Sequence, residues 1–138
     1  MLWSVKTNFW PNRKGKAMLE HEIEAFGRRL GLESLSFSRE GLARLDIANI
    51  GSFYLERAEQ NGRREILAYL TAPIPGHDTA AVRRLMAFCD YRQAFPMPVY
   101  AGVYADRGVV LTRLEEDGVT AASLENALRF LAELMHGK

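Results

Sequence analysis

Asn61-Gly62 is the feature that most limits how this chain can fold. Both residues tolerate the positive φ that a tight two-residue hairpin demands. The flanking residues alternate as paired strands should. Upstream, Phe53, Leu55 and Arg57 alternate with Tyr54, Glu56 and Ala58; downstream, Ile66, Ala68 and Leu70 alternate with Leu67, Tyr69 and Thr71. The second run, Arg64 to Thr71, is apolar on both faces, which predicts a strand that is central or covered on both sides. Before the hairpin, Ala43, Leu45 and Ile47 share one face of a further strand over Leu42 to Ile47, with Arg44 and Asp46 on the other. Asn49-Ile50-Gly51 turns the chain between the two. Leu35-Ser36-Phe37 reads as a minimal strand, closed by Ser38-Arg39-Glu40-Gly41. Together these pieces predict an antiparallel meander.

Helices bracket the meander. Leu19, Ile23, Phe26 and Leu30 step by four, three and four, which lines one face of a helix from Ala17 to Leu30. Glu20, Glu22 and Glu24 lie early and Arg28 and Arg29 late, as the helix dipole favours, and Gly31 supplies a C-terminal cap. Gly27 inside this helix costs roughly 1 kcal/mol against alanine. After Pro73-Ile74-Pro75-Gly76-His77, Asp78 or Thr79 caps a second helix running to about Ala94, with Val82, Leu85, Met86, Cys89, Phe88 and Tyr91 giving it a broad apolar surface. Val99 to Ala105 and Val109 to Leu114 form a second hairpin around Asp106-Arg107-Gly108. Thr120 caps a last helix carrying Leu124, Leu128, Leu131 and Met135 on one face. The order is α-β-β-β(β)-α-β-β-α. Runs of strands rather than alternating βαβ units predict an α+β fold, a twisted antiparallel sheet with helices packed on it.

Composition narrows the function. At 138 residues, 48% apolar and 25% charged, the chain reads as a single globular domain. Of its 18 basic residues, four (Lys6, Arg13, Lys14 and Lys16) fall in the first sixteen positions, which hold no acid. The remainder sets 14 bases against 17 acids, a net −3. Residues 1–16 are therefore expected to be a flexible, dispensable extension to a domain over 17–138, and the regular pattern begins at Met18. The acidic body gives no basic surface for nucleic acid, and the aromatics Phe53, Tyr54, Tyr69, Tyr100 and Tyr104 lack the signature of an RNA-recognition motif. No apolar stretch is long enough to span a membrane, and no secretory signal is expected. The lone Cys89 points to a reducing compartment.

Catalytic patterns are missing. There is no phosphate-binding glycine loop and no Gly-x-Ser-x-Gly elbow. Cys89 reads as a buried small hydrophobe, the His77-Asp78 pair has no nucleophile to serve, and Glu115-Glu116-Asp117 reads as a solvated acidic turn. His21, His77 and His136 lack metal-ligand spacing, so no metal, no cofactor and no enzymatic activity are expected. What remains is an excess of apolar surface beyond what one small core hides, which predicts self-association through the second helix. A dimeric adaptor or scaffold and a small ligand-binding domain are the readings composition leaves open.

The stretch Phe26-Gly27-Arg28-Arg29-Leu30-Gly31-Leu32, with Leu45-Asp46-Ile47 and Phe53-Tyr54-Leu55-Glu56, resembles the front half of a class I type III secretion chaperone. Ala101-Gly102-Val103-Tyr104-Ala105-Asp106-Arg107-Gly108-Val109-Val110-Leu111 and the terminal helix resemble its back half, so the likeness covers about residues 18–136. The short size is similar to that of the small chaperones that serve the export gatekeeper. The resemblance implies an acidic, dimeric chaperone of the bacterial cytoplasm without ATPase activity, homo- or heterodimeric. Such a chaperone holds the extended N-terminal segment of a secreted effector or gatekeeper. It further implies a client groove at Leu19, Ile23, Phe26, Leu30, Phe53 and Leu55, and a dimer interface at Val82, Leu85, Met86 and Cys89 with Val99 and Ala101. Two features depart from the family: Ala87-Phe88-Cys89-Asp90 in the second helix, and the basic head before Met18.

Overall fold

A computed structural model describes residues 13–74, 78–90 and 94–136. Helix α1 (Arg13–Arg29) precedes strands β1 (Leu42–Ile47), β2 (Gly51–Gln60) and β3 (Arg63–Pro73). Helix α2 (Thr79–Met86) leads through a 3₁₀ turn, Ala87–Cys89, to β4 (Tyr100–Tyr104) and β5 (Arg107–Glu115). A second 3₁₀ turn, Glu116–Gly118, introduces helix α3 (Ala121–His136). The α+β order expected from the sequence is the order observed. Leu35-Ser36-Phe37 does not form a strand; it crosses the end of α1 as irregular chain. Helix α1 begins at Arg13, so the expected boundary at residue 16 falls inside a helix, and the rest of the basic head, residues 1–12, lies outside the described residues.

All five strands pair antiparallel in the order β1-β2-β3-β5-β4. The hairpin sets the register: Gln60 pairs with Arg63 across Asn61 (φ 55°) and Gly62 (φ 78°), the positive pair that a type I′ turn needs. Strand β3 is central, between β2 and β5. Alternation then sends Phe53, Leu55, Ile66, Ala68, Leu70, Val110 and Thr112 to one face, where all are buried. Leu19, Ile23 and Phe26 of α1 and Leu124, Leu128 and Leu131 of α3 complete that core. Phe26 meets Phe53 edge-on with ring centres 6.0 Å apart.

Capping fixes the helix ends. Leu32 N–H donates to the Gly27 carbonyl (2.9 Å) and Gly31 N–H to that of Arg28 (3.0 Å), the paired bonds of a Schellman stop. Gly27 itself has a packing reason: a Cβ there would stand 2.7 Å from the Leu35 Cβ. Asp78 caps α2 by accepting from Ala81 N–H at 3.0 Å. Thr120 and Ser123 cap α3 reciprocally, Ser123 N–H to Thr120 Oγ1 at 3.0 Å and Thr120 N–H to Ser123 Oγ at 2.8 Å. The Glu22 carboxylate of α1 accepts Ala121 N–H at 2.7 Å, so the first helix helps cap the last.

The other sheet face carries no helix among the described residues. Register aligns Arg44, Tyr54, Tyr69, Leu111 and Tyr100 across the five strands. Tyr54 and Tyr69 stack at 4.9 Å, and Arg44 lies 5.4 Å over the Tyr54 ring. Tyr69 donates its hydroxyl to Glu56 at 2.7 Å. Burial, then this carboxylate, push the Tyr69 phenol well above the ordinary tyrosine value. The second apolar face of β3 is thus half-buried within an aromatic ladder and needs no further layer.

Candidate functional site

Five of the six groove residues expected from the sequence are core. Leu19 is 3% exposed, and Ile23, Phe26, Phe53 and Leu55 are 0% exposed, because the apolar stripe of α1 points straight down onto β2. A side chain with no surface has none to offer a client. Only Leu30, half-buried at the end of α1, reaches an open surface.

That surface is a groove of about 580 Å³ between the end of α1, the β1–β2 turn and α3. Leu30, Ile50, Leu128 and Ala132 form its apolar floor; Glu125, Arg129, Glu133, Asn49 and His136 stand around it. Its volume is in the range of pockets that take a compact ligand, roughly 300–1,000 Å³. The four-residue step of Leu128, Ala132 and His136 lays these along one side of α3. His136 Nε2 meets the Ile50 carbonyl at 2.7 Å and ties the end of α3 to the turn. Arg29 pairs with Glu125 at 3.0 Å and closes the α1 side. The sequence signal for this groove is a small residue, Ala132, beside a leucine stripe. Only the fold brings Ile50 from a turn to face it.

The expected dimer residues separate into two sets. Leu85 is 2% exposed and belongs to the core, where it packs with Ile74 beside Gly108, a position that a Cβ would overfill. Val82, Val99 and Ala101 are half-buried, whereas Cys89 is exposed and Met86 is 42% exposed. Helix α2 stops at Met86 instead of running to Ala94: the 3₁₀ turn ends at Asp90, whose backbone is extended (φ −67°, ψ 124°), and Phe88 turns to meet Phe95 at 6.1 Å. Tyr91 and His77 lie outside the described residues. Beside α2, the edge strand β4 exposes Tyr100, Val103 and Tyr104, the last at 79%. Strand β4 itself carries no charged side chain to blunt this edge.

A further expectation changes. The acidic turn is not wholly solvated: Glu116 is buried, and burial raises its carboxyl while Arg57 and Arg64 draw it back down. Arg57, also buried, lies 4.8 Å over the Phe37 ring. On the open sheet face Tyr54 stacks on Tyr69, Arg44 lies over Tyr54 and Arg113 lies over Tyr100. Among the described residues no helix is long and apolar enough to cross a membrane, and no three of His, Cys, Asp and Glu gather as metal ligands.

Residues 18–137 match the family of the type III secretory system chaperone SycN. The chain belongs to this chaperone family. Its fold is that of other type III secretion chaperones. One similar structure is the SchA chaperone in its complex with the effector HopA1, with a TM-score of 0.65 and 15% identity, covering 92% of this chain and 97% of that one. Another is the Yersinia pestis type III secretion chaperone SycH, in complex with a stable fragment of YscM2. There the TM-score is 0.57 and the identity 20%, covering 85% of this chain and 98% of that one. Among curated proteins no sequence matches the chain. The match begins at Met18, part-way along the α1 helix of this chaperone, so the family pattern covers all five strands and the groove.

Proposed function

We propose that this protein is a cytoplasmic type III secretion chaperone that binds the N-terminal chaperone-binding segment of a secreted effector or gatekeeper and keeps it soluble and export-competent. The observation that carries the reading is the family match across residues 18–137. The solved relatives with its fold include a chaperone–effector complex. Binding a segment through an apolar groove and main-chain pairing requires no titrating group and no nucleotide, so the chaperone acts without catalysis. The exposed Met86, Tyr100, Val103 and Tyr104, beside an edge strand, support the α2–β4 side as the dimer interface.

Co-expression with each secreted protein of the source cell tests this. One client should co-purify in the absence of ATP, through a segment within its first hundred or so residues, and should lose solubility when expressed alone. A chaperone that co-purifies with none of them, or only with nucleotide present, would contradict the reading.

A further inference from the structure

We infer that the basic head of this chain docks the protein on the surface of an anionic lipid bilayer, through the cations Lys6, Arg13, Lys14 and Lys16 and the aromatics Trp3, Phe9 and Trp10. The inference goes beyond the chaperone reading and does not rest on it.

Charge comes first. Residues 1–16 carry four cations and no acid, whereas the rest of the chain is net −3. The family match begins only at Met18, yet helix α1 starts at Arg13. Arg13, Lys14 and Lys16 therefore stand on the same helix ahead of the matched pattern. Glu22 of α1 meets Ala121 and Arg29 meets Glu125, so α1 and α3 run side by side in one direction. The start of α1 thus lies at the end of the molecule where the acidic turn leads into α3. There Glu115 pairs with Arg63 at 2.9 Å, Glu65 pairs with Arg113 at 3.3 Å, and Glu116 is buried. Acids so engaged compete poorly for the head, whose cations call for an anion outside the chain.

Apolar content decides which anion. Both tryptophans of the chain, Trp3 and Trp10, lie in the head with Leu2, Val5 and Phe9. Met18, the first residue of the matched pattern, is 68% exposed and continues the series onto the described helix. An acidic polymer satisfies the cations but has no place for Leu2, Val5 and Met18. A bilayer surface takes both sets: tryptophan favours the membrane–water interface, and lysine and arginine favour anionic headgroups. Among the described residues no helix is long and apolar enough to cross a membrane, so the contact is peripheral. The groove between α1 and α3 lies at the far end of the 17-residue helix, about 25 Å away, and stays open on a docked chaperone.

Because both tryptophans lie in the head, the intrinsic fluorescence of the full chain reports on it directly. Vesicles of phosphatidylcholine with about one-third phosphatidylglycerol are the probe, beside vesicles of phosphatidylcholine only. On the mixed vesicles the protein should co-sediment and its emission should shift to the blue. Affinity for the neutral vesicles should be at least about tenfold lower, and about 1 M salt should release most of the bound protein. Lys14→Glu with Lys16→Glu should cut affinity for the mixed vesicles at least about tenfold. Acids are tolerated in the first turn of a helix, and unchanged circular dichroism and melting confirm the fold. Trp3→Ser with Trp10→Ser should also cut it at least about tenfold, read by co-sedimentation.

Absence of vesicle binding, equal binding to both vesicles, or undiminished binding by either double variant overturns the inference. Tighter binding to poly(U) or to poly-glutamate than to the mixed vesicles overturns it too, and would make the head a site for an acidic macromolecule instead.

Discussion

Truncating Phe26 to alanine should damage stability and spare client affinity, the reverse of what a groove residue would do. The ring is 0% exposed and meets Phe53 edge-on at 6.0 Å, so Phe26→Ala removes a filled volume between α1 and β2 and leaves a cavity. Phe→Ala at such sites costs about 3–5 kcal/mol, of which the ring pair supplies about 0.5–1.5 kcal/mol. With a urea slope of about 1.5–2 kcal/mol/M for a domain of this size, the midpoint should fall by about 2–3 M. A domain whose total stability is about 5–15 kcal/mol keeps a folded population at low temperature in which binding can be measured. There the affinity for a client peptide should stay within about twofold of wild type. Were Phe26→Ala to leave the urea midpoint in place and cut affinity tenfold, the placement of α1 over the sheet would be wrong.

Thr112 is fully buried with no partner for its Oγ1 among the described residues, so the isosteric Thr112→Val should stabilise the fold by about 1–2 kcal/mol in the same urea titration; a loss of stability would mean that the hydroxyl is bonded. Tyr69 resists ionisation in the fold, whereas an unfolded tyrosine releases its proton near pH ~10, so the native state holds more protons above that pH and stability should decline there. Thermal melts between neutral and alkaline pH should show this decline, and Tyr69→Phe should flatten it. Gly27→Ala should destabilise despite a helix-propensity gain of about 1 kcal/mol, because its methyl group would sit against the Leu35 Cβ; a rise in melting temperature would show that Leu35 moves freely. Met86→Glu puts a charge on the exposed end of α2 and should convert a dimer to monomer by light scattering with the monomer fold intact, whereas an unchanged mass would move the interface elsewhere.

Local signals carried the elements, because each rests on residues close in sequence. Asn61-Gly62 dictated both a hairpin and its register, Gly31 a helix stop, and Thr120 a helix start. The alternation around Phe53 and Ile66 likewise foretold which side chains are buried. Distinguishing core from binding surface needed the third dimension. The α1 stripe at Leu19, Ile23 and Phe26 looks the same whether it faces a sheet or a client, and the position of the sheet decides it. Leu85 and Met86 are adjacent in sequence, yet one packs beside Gly108 and the other points outward. Ile50 had no pattern at all, since a turn residue acquires a neighbour such as His136 only through the closure of the fold. The length of α2 failed for a related reason: its apolar residues continue past Met86, but the chain turns so that Phe88 can reach Phe95.

The pairing of β3 with β5 has a consequence for how this protein is born. One edge of β3 is satisfied by β2 as soon as the hairpin emerges, but the other must wait for a strand that starts at Arg107. At about 5–20 residues per second, the ribosome takes about 2–8 s to add the intervening chain. Throughout that interval the nascent polypeptide presents an open strand edge beside apolar side chains that will later lie beneath α3. Glu22, Arg29 and the rest of α1 wait longer still, for Ala121 and Glu125 follow β5 in the chain. A protein that shields others thus passes through its own unshielded stage first.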